Sequence, residues 1–272
     1  MQAKLLYLLL GVFIFIDCQK PNTEGGKPPF EFCIIEYDMP FSASKMDEKT
    51  GLSGFYVDLG EAVANDLGMS SKPSFIMSAF QSRPIRDGLL AGKGVAQIGL
   101  PRTDGKWLIP RKVQLTESFS SMGYALVIPQ NSTITQASDL KGKIVAVQTG
   151  SPAHIGLDMI GGVKFSFSQF AEPAMKTLAE GNADAALIWG ATAGYQNKYY
   201  YDNRFKVMPT NYTWPVAIAL TATNDSLAIR VDAALVKLKP TIEKLYQKYG
   251  FPTGTVFTMP ELPYTKEEEE EK

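Results

Sequence analysis

Reactive side chains are scarce in this chain, which has one histidine and two cysteines among 272 residues. A lone His154 cannot build a multi-histidine metal site. Placed after G-S-P in the first turn of an expected helix, it reads as a solvent-facing residue. Cys18 and Cys33 are too few for a disulfide scaffold, and no C-x-x-C pair or C-x-x-C-H haem site occurs. A P-loop and a G-x-S-x-G elbow are missing too, so no catalytic residue, metal or cofactor is expected. Excess positive charge is also lacking. The net charge is −1, with no basic stripe and no aromatic–basic interleaving, which excludes a nucleic-acid partner.

What is present fits an exported globular protein. The chain is 45% hydrophobic and 20% charged, and its length allows one large or two modest domains. Lys4 precedes a twelve-residue apolar run, Leu5 to Ile16, which is short for a bilayer span but suits a secretory signal. Residues 1–27 are therefore read as signal and linker, and the compartment as the periplasm. Cys18 stands where a lipid-anchored cysteine would, although FIDC lacks the small residues that precede one. Cys33, inside a strand, reads as a buried thiol behaving as a small hydrophobe. At the other end, KEEEEEK (Lys266 to Lys272) cannot bury its like charges, and 259–272 is expected to be a disordered acidic tail on a mildly basic body.

Between these ends, apolar strands alternate with amphipathic helices. FEFCII leads through the loop EYDMPFSASK into GLSGFYVDLGEAVANDLG. There Phe55, Leu59, Ala62, Val63 and Leu67 recur at helical spacing, Asp58 is read as facing water, and Gly68 is placed to cap. PSFIMSAF and VAQIGL follow as strands around a short helix at Ile85 to Leu90, and MGYALVI is a long apolar strand. A second series, KIVAVQTGSPAHIGLDMIGG to ADAALIWG, repeats the alternation, and two helices close the chain. The expected fold class is α/β, with two lobes of mostly parallel sheet joined by two crossover strands near Glu117 to Ala125 and Asn211 to Ile218. Lobe 1 would take 28–120 plus 216–258, and lobe 2 would take 121–215.

G-F-x-V-D-L, R-x-x-L-L-A-G, L-K-G-K-x-V-A-V-Q-T-G-S, A-D-A-A-L and L-Y-Q-K-Y-G, in this order, resemble the type II periplasmic solute-binding proteins of extracellular family 3. Within them, the F-C and M-P-F-S-A segments and W-G-x-x-A-G-Y (Trp189 to Tyr195) look like the J-type (MxaJ/XoxJ) proteins encoded alongside PQQ-dependent methanol dehydrogenases. That likeness implies a non-catalytic accessory whose partner is a periplasmic quinoprotein dehydrogenase. It also implies a cysteine partner for Cys33 where this chain has Gly94. The alternative is the receptor of an ABC importer, with a small polar or aromatic solute and a permease as its partners. Amino-acid binders in the family hold the ligand carboxylate with an arginine, and that position falls here on Ile109. Their ammonium-binding aspartate falls on Trp189. Arg102 and Arg111 lie nearby without the spacing. Dehydratases on this scaffold need a Glu or Lys in the cleft, and Glu36 and Glu117 are the candidates. Tyr37, Phe41, Ser42, Trp189 and Tyr195 are candidate cleft residues, with core packing as the competing role for Trp189. Gly150 and Ser151 are candidates to receive an anion, with a plain helix cap as the competing role. The tyrosine-rich stretch from Tyr195 to Phe205 is read as a surface.

Overall fold

The computed structural model describes residues 27–77, 85–102 and 112–263. The apolar run and Cys18, together with Ile109, Arg111 and the glutamate run, lie outside the described residues.

Strand β1 (Pro29–Ile35) buries Phe30, Phe32, Cys33 and Ile34, as a strand covered on both faces must. The short strands β2 (Tyr37–Asp38) and β3 (Ser42–Ala43) pair antiparallel and lead into helix α1 (Phe55–Asp66). Gly68, at φ +69°, closes that helix in the left-handed conformation glycine tolerates. Strands β4 (Ser70–Ile76) and β5 (Ala96–Pro101) flank β1 in parallel. Between them the short helix expected here is one π-helical turn, Ile85–Leu89. Strands β6 (Val113–Leu115), β7 (Ser120–Pro129) and β8 (Ile144–Gln148) follow. Next come α2 (Pro152–Ile160), β9 (Lys164–Ser168), α3 (Ala171–Ala179), β10 (Ala185–Trp189) and α4 (Gly190–Tyr199). The long β11 (Phe205–Thr221), α5 (Asp225–Lys237) and α6 (Lys239–Tyr249) complete the order.

The strands line up as β4-β1-β5-β11-β7-β10-β8-β9, with β6 also on β11. Pairing is parallel on both flanks and antiparallel in the middle, where β11 runs against β5 and β7. The first half of β11 pairs with the end of β7, and the second half with its beginning. This two-stranded ribbon is the seam between the two halves of the molecule. The register slips between Pro209 and Thr213, and the displaced backbone at Tyr212 presses on Gly123, where any Cβ would overlap the Tyr212 carbonyl oxygen.

Each half has its own core. One gathers Phe30, Phe32, Phe55, Leu59, Ile98, Val231 and Tyr249. In the other, β8 and β10 send Val145, Val147 and Leu187 to one face and Ala146, Ala186 and Ile188 to the opposite one, the period-2 alternation of a strand.

Three expectations change here. Asp58 does not face water; it accepts hydrogen bonds from Lys248 Nζ (2.6 Å) and Tyr249 Oη (2.8 Å), because α6 packs across α1. Tyr195 is buried at 2% exposure against Tyr199 and Tyr200, so the tyrosine-rich stretch begins as packing and not as surface. Phe257, Met259 and Leu262 are buried in the core beneath β8 and β10, so the chain is ordered there and packs on the second half; the expected tail starts too early at 259. Position 94 also lies beside Cys33. A Cβ there would stand 3.0 Å from Cys33 Sγ, the reach across an S–S bond of about 2.05 Å. With glycine in place, Cys33 is a free buried thiol whose pKa burial pushes up to about 11, so it stays protonated.

Candidate functional site

Where the carboxyl ends of the strands from both halves meet beside the β7–β11 ribbon, they enclose a cleft of about 510 Å³. The first half contributes Ile35 from β1, the loop from Asp38 to Ser42, Tyr56 of α1 and the end of β5. The second contributes Tyr124, Gln148, Glu172, Trp189 and Thr192.

The walls are aromatic because rings are stacked into them from beneath. Phe41 lies on Tyr56 with centroids 4.9 Å apart at 21°, and Tyr56 is held over Gly99. Gly99 sits at φ +93°, and a Cβ there would overlap the Tyr56 ring, so that wall requires glycine. Opposite, Trp189 meets Tyr124 edge-on at 5.5 Å and stacks on Trp214 at 6.4 Å. Trp189 therefore holds both of its weighed roles: one side packs, and the other borders the cleft.

Two carboxylates face this space from opposite halves. Asp38 is half-buried beside Tyr56, and Glu172 stands exposed in the first turn of α3. Burial raises the Asp38 pKa to about 6, and the negative charge of Glu172 adds to the rise. Burial drives the Tyr56 hydroxyl well above its ordinary value, and the Asp38 charge adds to that. Neither carboxylate has a hydrogen-bond or ion-pair partner among the described residues. No lysine, arginine or histidine lines the cleft among those residues either. Arg102, just past β5, is held elsewhere: its Nη1 donates to the Thr116 carbonyl at 2.9 Å and pairs with Glu117 at 2.6 Å.

The residues named from sequence divide. Phe41, Ser42 and Trp189 line the cleft, and Ser42 Oγ is spent on the Ile35 carbonyl at 2.6 Å. Tyr37 points away, 70% exposed, and Tyr195 is in the core, its hydroxyl 3.0 Å from Thr50 Oγ1. Gly150 and Ser151 do not border the cleft. The Gly150 N–H donates to His154 Nδ1, and Ser151 Oγ caps α2 by accepting from the His154 N–H at 3.2 Å. The plain-cap role explains both residues. His154 is itself tied into that turn and packed edge-on against Phe165 and Phe167. Glu36 and Glu117 are off the cleft, bonded to Ser44 and Arg102. The sequence reading passed over Asp38 and Glu172. Asp38 sits in the Y-D-M-P-F loop already singled out, while nothing local marks Glu172.

No protein-family model matches the chain, and no curated protein matches it either. Solved structures do. An ancestral cationic amino acid solute-binding protein is 23% identical, with a TM-score of 0.67 over 82% of this chain and 95% of that one. The L-cystine solute receptor of Neisseria gonorrhoeae, in its unliganded open conformation, is 19% identical with a TM-score of 0.66 over 82% and 93%. An ancestral arginine-binding protein bound to arginine is 26% identical, with a TM-score of 0.55 over 82% and 98%. The fold is that of the type II periplasmic binding proteins. The chain overlays better on the open, unliganded receptor than on the arginine-bound protein, although it is less identical to it.

Proposed function

We propose that this protein is an exported, non-catalytic solute receptor that captures a small molecule in the cleft and delivers it to an ABC permease. The carrying observation is the 510 Å³ cleft, walled by aromatic and polar side chains from both halves beside one continuous strand pair. Such a ribbon lets two halves close by small dihedral changes at its ends, and the register slip at Pro209–Thr213 is a place for them. We divide the lobes at that seam, with 28–120 plus 216–251 in the first and 121–215 plus 252–263 in the second. Export and any lipid on Cys18 are part of the same proposal. No helix of the described residues is long and apolar enough to cross a membrane.

The dehydrogenase-accessory reading rested on W-G-x-x-A-G-Y, on the F-C…P-F loop and on the two missing amino-acid anchors, and packing accounts for the first of these. Gly190 and Gly194 let α4 press against the Gly123 and Gly250 carbonyls, and Tyr195 is buried. With its main support absorbed by the fold, this reading ranks second. A thermal-shift screen against a broad metabolite pool tests the pair. The receptor predicts stabilisation of a few kcal/mol by at least one solute at saturation. No shift from any solute, together with recovery of a quinoprotein dehydrogenase in a gentle periplasmic pull-down, would sink it.

A further inference from the structure

We infer that the cleft selects an organic cation carrying no carboxylate, an alkyl amine or guanidine, held between Asp38 and Glu172 beside the aromatic wall that Trp189 presents. The inference rests on the receptor reading and narrows its substrate class.

Charge decides the sign. Two carboxylates border the cleft, no cationic side chain among the described residues lines it, and neither carboxylate has a hydrogen-bond partner among those residues. A half-buried carboxylate left this way loses hydration without return, and a like charge opposite adds repulsion. A ligand cation supplies the missing counter-charge to both. The side of Trp189 that borders the cleft adds cation–π attraction. A carboxylate on the ligand would reverse the gain. It would enter a site whose described lining is negative, with Arg102 committed to Glu117 and the Thr116 carbonyl.

Placement decides the mechanism. Asp38 belongs to the first half and Glu172 to the second, so closing an empty cleft brings like charges together. Closing on a cation places it between them. The ligand thus has a differential interaction with the closed state, which is what a population shift requires. Asp38 must also be ionised to hold a cation. Glu172 on α3 and Tyr56 on α1 are the titratable groups that face it; the Glu172 charge opposes its ionisation, while Tyr56, its own pKa driven up, stays neutral.

Calorimetric titration of the full chain at pH 7.5 tests this with two matched pairs, agmatine against arginine and cadaverine against lysine. Each pair differs only by the carboxylate. The expected result is that each decarboxylated member binds at least tenfold more tightly than its amino acid. Asp38→Asn and Glu172→Gln should each weaken agmatine or cadaverine at least tenfold without lowering the unfolding temperature. Binding should also fall about tenfold between pH 7.5 and pH 5, as Asp38 protonates. Equal or tighter binding of arginine and lysine overturns the inference, as does unchanged affinity in both variants or no binding by any of the four probes. If a neutral or anionic solute then stabilises the protein in the wider screen, the receptor reading survives without this substrate class. If nothing does, both fall.

Discussion

Asp58 and Asp38 are both half-buried carboxylates of the first half, and the fold treats them in opposite ways. Asp58 receives Lys248 and the Tyr249 hydroxyl, and that hydroxyl in turn accepts the Gly54 N–H at 3.1 Å. Asp38 receives no donor among the described residues and shares its cleft with a second carboxylate. A chain that supplies donors to one buried charge and withholds them from another keeps the second at a cost to its own stability. Such local violations belong at sites where something from outside completes the arrangement.

Breaking the satisfied member should have the largest effect. Asp58→Ala leaves the Tyr249 hydroxyl and Lys248 without their acceptor, and should lower stability by about 2–3 kcal/mol, allowing for the partial exposure of Lys248. Urea unfolding with an unchanged slope measures it, and a parental midpoint would contradict the contrast. Tyr249→Phe keeps the ring and removes one hydroxyl. It strands the buried Gly54 N–H and should cost about 1–2 kcal/mol in the same assay.

Asp38→Asn should act in the opposite direction. The folded pKa near 6 lies above the usual carboxylate value of about 4, so between these pH values the folded state holds more protons than the unfolded one. Stability therefore falls as pH rises through that window, and the asparagine variant lacks this slope. At pH 7 it should be more stable than the parent by about 1 kcal/mol, discounted for partial exposure, and at pH 4 the two should match. Equal pH profiles would mean that Asp38 is not strained. Glu172→Gln is the mildest test. Stability should stay within about 0.5 kcal/mol, while Asp38 titrates at lower pH, as carboxylate NMR shifts would report.

Much of the scaffold was legible because periodicity carries it. The stripe from Phe55 to Val63, the run VAQIGL and the alternation around β8 and β10 each state a burial pattern that a single element satisfies. Trp189 was legible as a cleft residue because it ends a strand in an α/β unit, and Phe41 because it stands in the loop that follows β1. Asp58, Tyr195 and Ser151 were harder to read. A helical wheel shows which side of α1 is polar but not that α6 brings Lys248 and Tyr249 across it. Tyrosines in a polar stretch look exposed until α4 is packed against its neighbours. The end of β11 and the segment to Leu262 carry no signal of the half they join.

The sequence by itself determined the α/β alternation and the turns that require glycine, since these depend on neighbours in the chain. Only the tertiary structure decided which carboxylates are paired and which are left facing each other. Asp38 and Glu172 come from different halves, line one cleft, and owe their electrostatics to placement and burial in space. No local pattern encodes that.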